Sequence, residues 1–455
     1  MLEEAGRPHI QHGTLMENMM IAKNADPNKV IEGFNKFNEK VKGMLEFNAS
    51  DFVHFMEPYY REAGYRQPRP QGEKKEILVV RDDAAGDFVL FSPVLRELRR
   101  LYPAARITLL ASIRNAGLAY ACPYIDNIIV EDKPFDSEDF SQSYRHSLDL
   151  SLQLLKYNFD IAFAGRLGIR SLSLLIMYMA GARVRVGFTQ NRPNPDGNIP
   201  DTGWDSLLTV KVPWLMNHMH DVDRNLMLLE TLLKLPIDNR ELEVWFTNKD
   251  LETAKKCLLP MEEKSNRKFL ALVPSASIAS KVWPVERFIQ LAKAIQKSVP
   301  DVAFAVLGGP GDYQAGEIFC KAMGEEYSLN LAGKLKFSES AAVISRCQQY
   351  IGCDTGLMHI AAALKLPVLS VNCFPVDMPM EYMSIPVRFA PYRVPGVVVY
   401  PSKHMDDCDD KWGYGCKVTD RSHCILGVSA ERMVNGFSLL QDKIRAKDNT
   451  PSFIK

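Results

Sequence analysis

Several features that would place a protein in another class are missing from this 455-residue sequence. It contains no run of eighteen apolar residues, so we expect no transmembrane helix. The opening residues MLEEAGRPHI lack the basic and apolar regions of a signal peptide, so we expect a cytosolic protein. The 55 basic residues are balanced by 55 acidic residues, which argues against a nucleic-acid partner.

A recognisable cysteine framework is missing as well. The nine cysteines are scattered over most of the chain. The exception is CDDKWGYGCKVTDRSHC, where Cys408, Cys416 and Cys424 stand at intervals of eight, with His404 and His423 nearby. Because this spacing is not C-x-x-C, we predict a Cys- and Asp-rich surface loop rather than a zinc ribbon. A metal site formed by the three cysteines is the alternative.

What the sequence does contain is a regular alternation of strand and helix patterns, which predicts parallel α/β sheets. The alternation begins with EILVV, breaks off in a stretch rich in Asn, Pro and Gly, and restarts with KFLALV. We therefore expect two α/β domains. The predicted divisions are a helical extension at 1–74, domains at 75–250 and 266–427, a linker near 247–266 and a C-terminal helix at 428–447.

The most informative stretch is IGCDTGLMHIAAALKLPVL, residues 351–369. An Asp-Thr-Gly turn closes a short apolar run and opens a helix, with Asp354 and Thr355 at the expected N-cap and His359 on the first turn. Unpaired amide groups and the positive end of the helix dipole suit a phosphate. The alternatives are a capped helix with no ligand, and a histidine that only packs.

A second candidate follows the first strand of the first domain. In RDDAAGDFVLFSPVLREL, Gly86 permits a tight turn and Asp87 begins the next helix. Because ligands bind beyond the carboxyl ends of parallel strands, Asp87 is placed to act as a general base. Position alone favours a structural role, as an N-cap or as the partner of Arg81. Asp82 and Asp83 have no matching acidic strand elsewhere, so we predict no divalent metal site here.

Two loops of the second domain carry further candidates. VPSASIASKVWPVERF offers Ser275, Ser277 and Lys281 to a phosphate, with Lys281 just before a helix; a solvated lysine is the alternative. VLGGPGDYQAGE places Asp312 where it could accept hydrogen bonds from ribose hydroxyls, or simply cap the next helix. The glycines of this loop do not form G-x-G-x-x-G, so it is not a dinucleotide fingerprint.

Taken in order, these segments resemble the ADP-heptose:lipopolysaccharide heptosyltransferases, glycosyltransferase family 9. The resemblance rests on ILVVRDDAAGDFVLFSPVLRELRRLYPAARITLL, MHDVDRNLMLLETLLKLP, PSASIASKVWPVERFIQLA, VLGGPGDYQAGE and LNLAGKLKFSESAAVISRCQQYIGCDTGLMHIAAALKLPVLSV. It covers residues 76–435. It implies a GT-B fold with two Rossmann-like domains facing a cleft, the second holding the donor nucleotide and the first the acceptor.

The same resemblance implies an inverting, metal-independent transferase that requires no cofactor and takes an ADP-sugar, ADP-heptose or a close relative, as substrate. Asp87 then matches the catalytic base, and Lys281 matches the residue that grips the donor phosphate. The turn that holds the diphosphate matches Asp354, Thr355 and Gly356.

The donor ribose and the acceptor are the remaining groups to place. Asp312 lies near the position of the family's ribose-binding acid. In GRLGIRS, Arg166 and Arg170 could hold an anionic acceptor such as a Kdo carboxylate; surface salt bridges are the alternative. The resemblance implies a glycan or glycolipid acceptor, met by a cytoplasmic protein peripheral to the inner membrane.

Four other functions stay open at this point. Two of them keep the transferase class but change a substrate, to another nucleotide-sugar donor or to a protein Ser/Thr acceptor. A nucleotide-sugar epimerase would need no acceptor, and a non-catalytic binding protein could keep the same fold. The oligomeric state is not predicted from the sequence.

Overall fold

The structure, a computed structural model of the chain, contains two parallel β-sheets. It describes residues 9–11, 25–40, 47–131, 140–165, 172–191, 201–213, 219–263, 267–374, 385–408, 418 and 420–454. These residues divide into two units. The first takes in the described parts of Met1–Ala84, Pro93–Leu215 and Asn225–Asn239, and the second those of Ala85–Ser92, Met216–Arg224 and Arg240–Lys455.

Helices and strands alternate along the chain, as the apolar patterns predict. Up to residue 233 they are β1 (His9–Gln11), α1 (Pro27–Lys40), α2 (Ala49–Glu62), β2 (Glu76–Arg81), α3 (Ala85–Leu90), α4 (Ser92–Leu101), β3 (Arg106–Ser112), α5 (Ala116–Ala119), β4 (Asn127–Glu131), α6 (Phe140–Leu154), β5 (Ile161–Ala164), α7 (Leu172–Met179), β6 (Val184–Phe188), β7 (Val210–Val212) and α8 (Asp221–Leu233). From residue 248 they are α9 (Asn248–Glu262), β8 (Lys268–Val273), α10 (Val285–Ser298), β9 (Val302–Val306), α11 (Tyr313–Met323), β10 (Ser328–Asn330), α12 (Phe337–Ile344), β11 (Gln349–Cys353), α13 (Gly356–Ala363), β12 (Val368–Val371), α14 (Ile385–Arg388), β13 (Gly396–Val399), α15 (Ala430–Ala446) and β14 (Pro451–Ile454). No helix in the described ranges has the length and apolar character that crossing a bilayer requires.

The two sheets have related topologies. In the described residues, the first has the order β1-β4-β3-β2-β5-β6-β7 and the second the order β10-β9-β8-β11-β12-β13-β14. The paired strands are parallel throughout. The winding direction reverses between β2 and β5 in the first sheet and between β8 and β11 in the second, as in doubly wound folds.

The central strands are buried on both faces, which explains their sequences. All six residues of β2 are buried, and so are the last five of β8. Such strands read as continuous apolar runs rather than as alternating patterns, because helices cover both faces of a parallel sheet. The C-terminal helix α15 belongs to the second core, where it buries Met433, Phe437 and Leu440.

The predicted helical extension forms α1 and α2, and these helices are part of the first core. Phe34, Phe52 and Tyr60 are almost completely buried there. The ring of Phe52 lies 5.5 Å from that of Tyr178 on α7, measured between centroids. The extension is therefore packed as a structural element of the first unit and not attached as a tail.

One sequence prediction is wrong. The segment 247–266, predicted as a linker, contains helix α9 in its described part. Thr247 and Asp250 form a capping box, in which each side chain accepts a hydrogen bond from the backbone amide of the other. The buried stripe includes Ala254 and Leu258, and the charged residues between them obscured it in the sequence.

Candidate active site

The winding reversal of the second sheet brings two predicted phosphate-binding segments to one place. Loops that follow the strands on either side of such a reversal form the crevice in which ligands bind. After β8 the chain makes a 3₁₀ turn, Ala279–Lys281, before it enters α10. After β11 it passes through Asp354 into the first turn of α13.

An ion pair joins these two loops. Lys281 Nζ lies 3.3 Å from Asp354 Oδ2, and the same carboxylate oxygen accepts a hydrogen bond from Asn372 Nδ2 at 3.3 Å. Burial is the largest single influence on the pKa of Lys281 and lowers it, but attraction to Asp354 and smaller contributions from neighbouring groups together raise that pKa above its ordinary value. The lysine is therefore held in place as a cation, with 24% of its side chain exposed.

The first turn of α13 is arranged differently from an ordinary capped helix. Thr355 occupies the N-cap position, but its side chain makes no capping hydrogen bond; its Oγ1 lies 3.2 Å from Tyr350 Oη. Asp354 turns toward Lys281 instead. Neither side chain of the Asp-Thr pair caps the helix, so the positive end of the dipole and its amide groups are directed at the loop.

Asp87 lies on α3, which packs within the second unit although it directly follows β2. Gly86 and Gly356 meet there: a Cβ added to Gly86 would lie 3.2 Å from Gly356 Cα and 2.9 Å from the His359 ring. Only glycine allows two helix starts to approach so closely. Burial and Asp354 have the larger effects on the pKa of Lys281 and of His359; the Asp87 carboxylate makes a smaller contribution, which is upward for both.

His359 lies at the centre of this group. It is 4% exposed, and burial lowers its pKa, which favours the neutral imidazole. Its Nδ1 atom is buried and makes no hydrogen bond within the described part of the chain. Since buried polar atoms are normally satisfied, this nitrogen is a position that a bound molecule could contact.

Two residues of the site were not found by sequence reasoning. Asn372 follows β12, which pairs with β11 and ends beside it, so its amide reaches Asp354. Tyr350 lies within β11 and donates a hydrogen bond to the Cys353 carbonyl at 2.8 Å. Examining every polar residue just after a predicted strand would have found the asparagine; the tyrosine gave no such signal.

The other predicted donor residues occupy different environments. Asp312 Oδ2 accepts a hydrogen bond from the Gly309 amide at 2.7 Å, so its carboxylate stabilises the local turn before α11. This is close to the structural alternative that the sequence left open. Ser275 is buried and Ser277 is exposed, both between β8 and the Lys281 turn.

The acidic residues after β2 make local contacts in the first unit. Arg81, named as a possible partner of Asp87, pairs with Asp83 at 2.6 Å. Asp82 Oδ1 accepts a hydrogen bond from Ser173 Oγ at 3.0 Å. These two carboxylates therefore serve the loop that leads from the first sheet into α3.

Three predicted residues lie outside the described part of the chain: Arg166, Arg170 and Cys416. The two other cysteines of the predicted alternative metal site are described. Cys408 and Cys424 lie with His404 in one cluster, with their ligand atoms all within 4.8 Å of one another. Cys424 is only 5% exposed, whereas the sequence predicted that it would lie in a surface loop.

Known proteins are similar to this chain in sequence and in fold. Residues 148–373 match the family described as glycosyltransferase family 9 (heptosyltransferase). Lipopolysaccharide heptosyltransferase 3 of Escherichia coli (strain K12) is 24% identical over 292 residues, which cover 63% of this chain and 79% of that protein. The solved structure of a family 9 glycosyl transferase from Veillonella parvula DSM 2008 has a TM-score of 0.61 at 19% identity, covering 81% of this chain and 97% of that chain. The structure of E. coli ADP-heptose lps heptosyltransferase II has a TM-score of 0.57 at 20% identity, covering 81% of this chain and 99% of that chain.

The two doubly wound sheets and this structural likeness define the GT-B fold. The chain belongs to glycosyltransferase family 9, the heptosyltransferase family. The fold class, the family and the enzyme class that the sequence resemblance implied are thereby confirmed.

Proposed function

We propose that this protein transfers a heptose from ADP-heptose to a hydroxyl group of a lipopolysaccharide core or a similar surface glycan, with inversion at the anomeric carbon. The names of the relatives support the sugar and the acceptor class, since they are lipopolysaccharide heptosyltransferases and one is an ADP-heptose enzyme. The site supports a nucleoside diphosphate, because a lysine and a helix N-terminus are groups that bind such anions.

The Lys281–Asp354 pair at the start of α13 is the observation that carries the proposal. Attraction to the Asp354 carboxylate favours the protonated form of Lys281, and the hydrogen bond between them holds the lysine at this loop. We assign the β-phosphate of the donor to Lys281 and to the amide groups of the first turn of α13. Ser275 and Ser277 are assigned to the same donor side.

In the proposed reaction, the acceptor oxygen attacks C1 of the heptose and gives its proton to Asp87. The bond from C1 to the β-phosphate oxygen breaks, and its electron pair leaves with ADP. Lys281 and the α13 dipole stabilise the negative charge that grows on the phosphate. One displacement inverts C1. Because these groups supply the positive charge, we assign no metal ion or organic cofactor to the transfer step.

The remaining assignments concern specificity. Asp312 is assigned to the ribose hydroxyls of ADP, which would have to compete with its present bond to the Gly309 amide. Arg166 and Arg170 are assigned to an anionic group of the acceptor. A glycolipid acceptor would bring the protein to the cytoplasmic face of the inner membrane as a peripheral enzyme.

Donor binding tests the proposal. Calorimetry with ADP-heptose and with UDP- and GDP-sugars should give the lowest Kd for ADP-heptose. Lys281→Met should raise that Kd about 10- to 100-fold, the value of a charge-assisted hydrogen bond. Lys293→Met, a change at an exposed lysine on α10, should leave the Kd unaltered. Equal affinity for the three nucleotides, or an unaltered Kd in Lys281→Met, would refute the donor assignment.

Acceptor use separates the alternatives. With ADP-heptose present, we expect transfer to a heptose-deficient lipopolysaccharide core and none to a protein rich in Ser and Thr. Isomerised donor without added acceptor would identify an epimerase instead. Binding without turnover on any acceptor would favour a non-catalytic protein.

A further inference from the structure

We propose that His404, Cys408 and Cys424 bind a divalent transition-metal ion, Zn²⁺ or Fe²⁺. His404 Nδ1 lies 3.4 Å from Cys408 Sγ and 3.7 Å from Cys424 Sγ. With metal–sulfur and metal–nitrogen bonds of about 2.3 and 2.1 Å, tetrahedral coordination places such a nitrogen and sulfur about 3.6 Å apart. The observed separations bracket that value, so one ion could contact all three atoms with little movement.

The local fold builds this site from two segments. A hydrogen bond from the Cys408 amide to the Met405 carbonyl closes a turn at 2.9 Å, which brings Cys408 back toward His404. Cys424 begins a 3₁₀ turn, Cys424–Gly427, about twenty residues further along. The two segments are joined by the sulfur of Cys424, which accepts a hydrogen bond from the Met405 amide at 3.3 Å.

The surroundings resemble the outer shell of a metal site. An amide hydrogen bond to a cysteine sulfur stabilises the thiolate, which is the form that binds a metal. Next to Cys424, His423 is 2% exposed and its Nε2 lies 2.8 Å from Asp407 Oδ1. Its Nδ1 lies 3.4 Å from Cys424 Sγ, so a carboxylate-supported imidazole abuts the ligand sulfur.

A metal explains the cluster better than a disulfide does. No disulfide joins Cys408 to Cys424, and the His404 nitrogen lies within 3.7 Å of each sulfur. A disulfide would leave that imidazole without a function. Two thiolates and one imidazole are soft to borderline ligands, a set that selects Zn²⁺ or Fe²⁺ over Mg²⁺ or Ca²⁺. They fill three positions of a tetrahedron and leave the fourth to water or another donor.

The site also adjoins the turn that carries Lys281. Ser280, Cys373 and Phe374 line the same cavity as the three ligands. Ser422 Oγ donates a hydrogen bond to the Val282 carbonyl at 2.7 Å, which fixes the segment before Cys424 to the segment after Lys281. We therefore infer a structural ion that anchors the Lys281 turn. This second step rests on the proposed donor-binding function, whereas metal binding itself does not.

Metal content tests the site. The full-length protein, purified without chelator and without oxygen, should contain about one equivalent of zinc or iron by mass spectrometry, which also identifies the ion. His404→Gln and Cys408→Ser, both at partly exposed positions, should fall below about a tenth of an equivalent when their circular dichroism is native. Cys257→Ser, at a partly exposed thiol on α9, is the matched control and should keep the metal.

Cobalt substitution gives a readout that does not depend on activity. Co²⁺ bound by two thiolates produces sulfur-to-cobalt charge-transfer absorption, which Cys408→Ser should reduce by about half because one thiolate is lost. The site would be overturned if the wild type contained no metal and gave no cobalt absorption, or if Cys408 and Cys424 were found joined in a disulfide. It would also be overturned if both ligand variants kept their full metal content. If the metal-free variant bound ADP as tightly as the wild type, the anchoring step would be overturned while the metal site stood.

Discussion

At the scale of single residues, the proposed function predicts that the contact between Asp354 and Lys281 sets the pH range of donor binding. Burial opposes the charge on Lys281 and Asp354 restores it, so the net effect is a raised pKa. Asp354→Asn keeps the shape but removes the countercharge, which leaves burial to lower the lysine pKa. We predict that, as the pH is raised, Asp354→Asn loses its affinity for ADP at a lower pH than the wild type does.

The measurement is the Kd for ADP as a function of pH in both proteins. Asp301→Asn, a change at an exposed carboxylate, controls for net charge and should give the wild-type profile. If the alkaline limb of Asp354→Asn coincides with that of the wild type, Lys281 does not bind the diphosphate as a cation controlled by Asp354.

A second residue-scale prediction concerns acid stability. Burial lowers the pKa of His220 to about 4; its Nε2 lies 2.9 Å from the Ala390 carbonyl and its Nδ1 accepts the Val222 amide at 3.1 Å. The unfolded state therefore binds more protons below pH 6.5, and stability falls as the pH drops from 6.5 toward 4. His220→Gln cannot titrate and should lose about 2–3 kcal/mol less over this interval.

Urea unfolding at pH 7 and at pH 4.5 measures this difference. Because His359 also has a lowered pKa through burial, the variant should keep part of the acid sensitivity. His54→Gln, at an exposed histidine on α2, should retain the full wild-type loss. An identical loss in His220→Gln and the wild type would show that His220 is not buried in its neutral form.

The sequence predicted single residues where a local signal existed. Lys281 and Asp354 each lie beside a helix start, and the structure pairs them. The local signal of Asn372 is only its position just after a strand, and the pairing of β11 with β12 is what brings it to the site. The three ligands of the proposed metal site were also only partly predicted, since their spacing matches no common motif and His404 joins them through tertiary folding.

At the scale of elements, the close approach of α3 and α13 determines where Asp87 lies. A methyl group at Gly86 would meet the His359 ring at 2.9 Å and the Gly356 Cα at 3.2 Å. Gly86→Ala should therefore displace the two helix starts and lower kcat at least about tenfold, with a loss of stability of about 1–3 kcal/mol. Turnover and thermal unfolding of the same preparation measure both effects.

Gly311→Ala is the matched control for this change. A Cβ at Gly311 would meet nothing within 4 Å, so activity and stability should stay at wild-type values. Wild-type turnover in Gly86→Ala would mean that the contact between α3 and α13 is unnecessary for positioning the carboxylate.

Elements were predicted well where both faces of a strand are buried. The predicted runs EILVV and KFLALV form β2 and β8, because parallel strands read as unbroken apolar runs. Helix α9 was missed, since six of its fifteen residues are charged and it buries only a narrow stripe. The capping box at its start was the signal that would have identified it.

At the scale of the whole molecule, the N-terminal helices contribute to folding stability. Phe52 is fully buried, with ring centroids of Phe37 at 4.9 Å and Tyr178 at 5.5 Å. Phe52→Ala should cost about 3–5 kcal/mol, as expected for a large cavity in an aromatic core. The sequence predicted helices here, but could not show that they complete the first core, because their partners lie more than a hundred residues away.

Denaturant unfolding checks the prediction, with Phe337→Ala as control because that ring is 41% exposed. The control should shift the midpoint little, by less than about 1 kcal/mol in free energy. A similar small loss in Phe52→Ala would mean that the extension is not part of the folded core.

The most direct test of the proposed activity is heptose transfer by Asp87→Asn and by the wild type, followed under saturating ADP-heptose and acceptor. If Asp87 is the base, kcat should fall about 10²- to 10⁴-fold. The Kd for ADP should hold or decrease slightly, because a negative charge near Lys281 is removed. Asp149→Asn, on the exposed side of α6, should retain wild-type turnover. Turnover by Asp87→Asn within about tenfold of wild type, or no transfer by the wild type, would contradict the proposed mechanism.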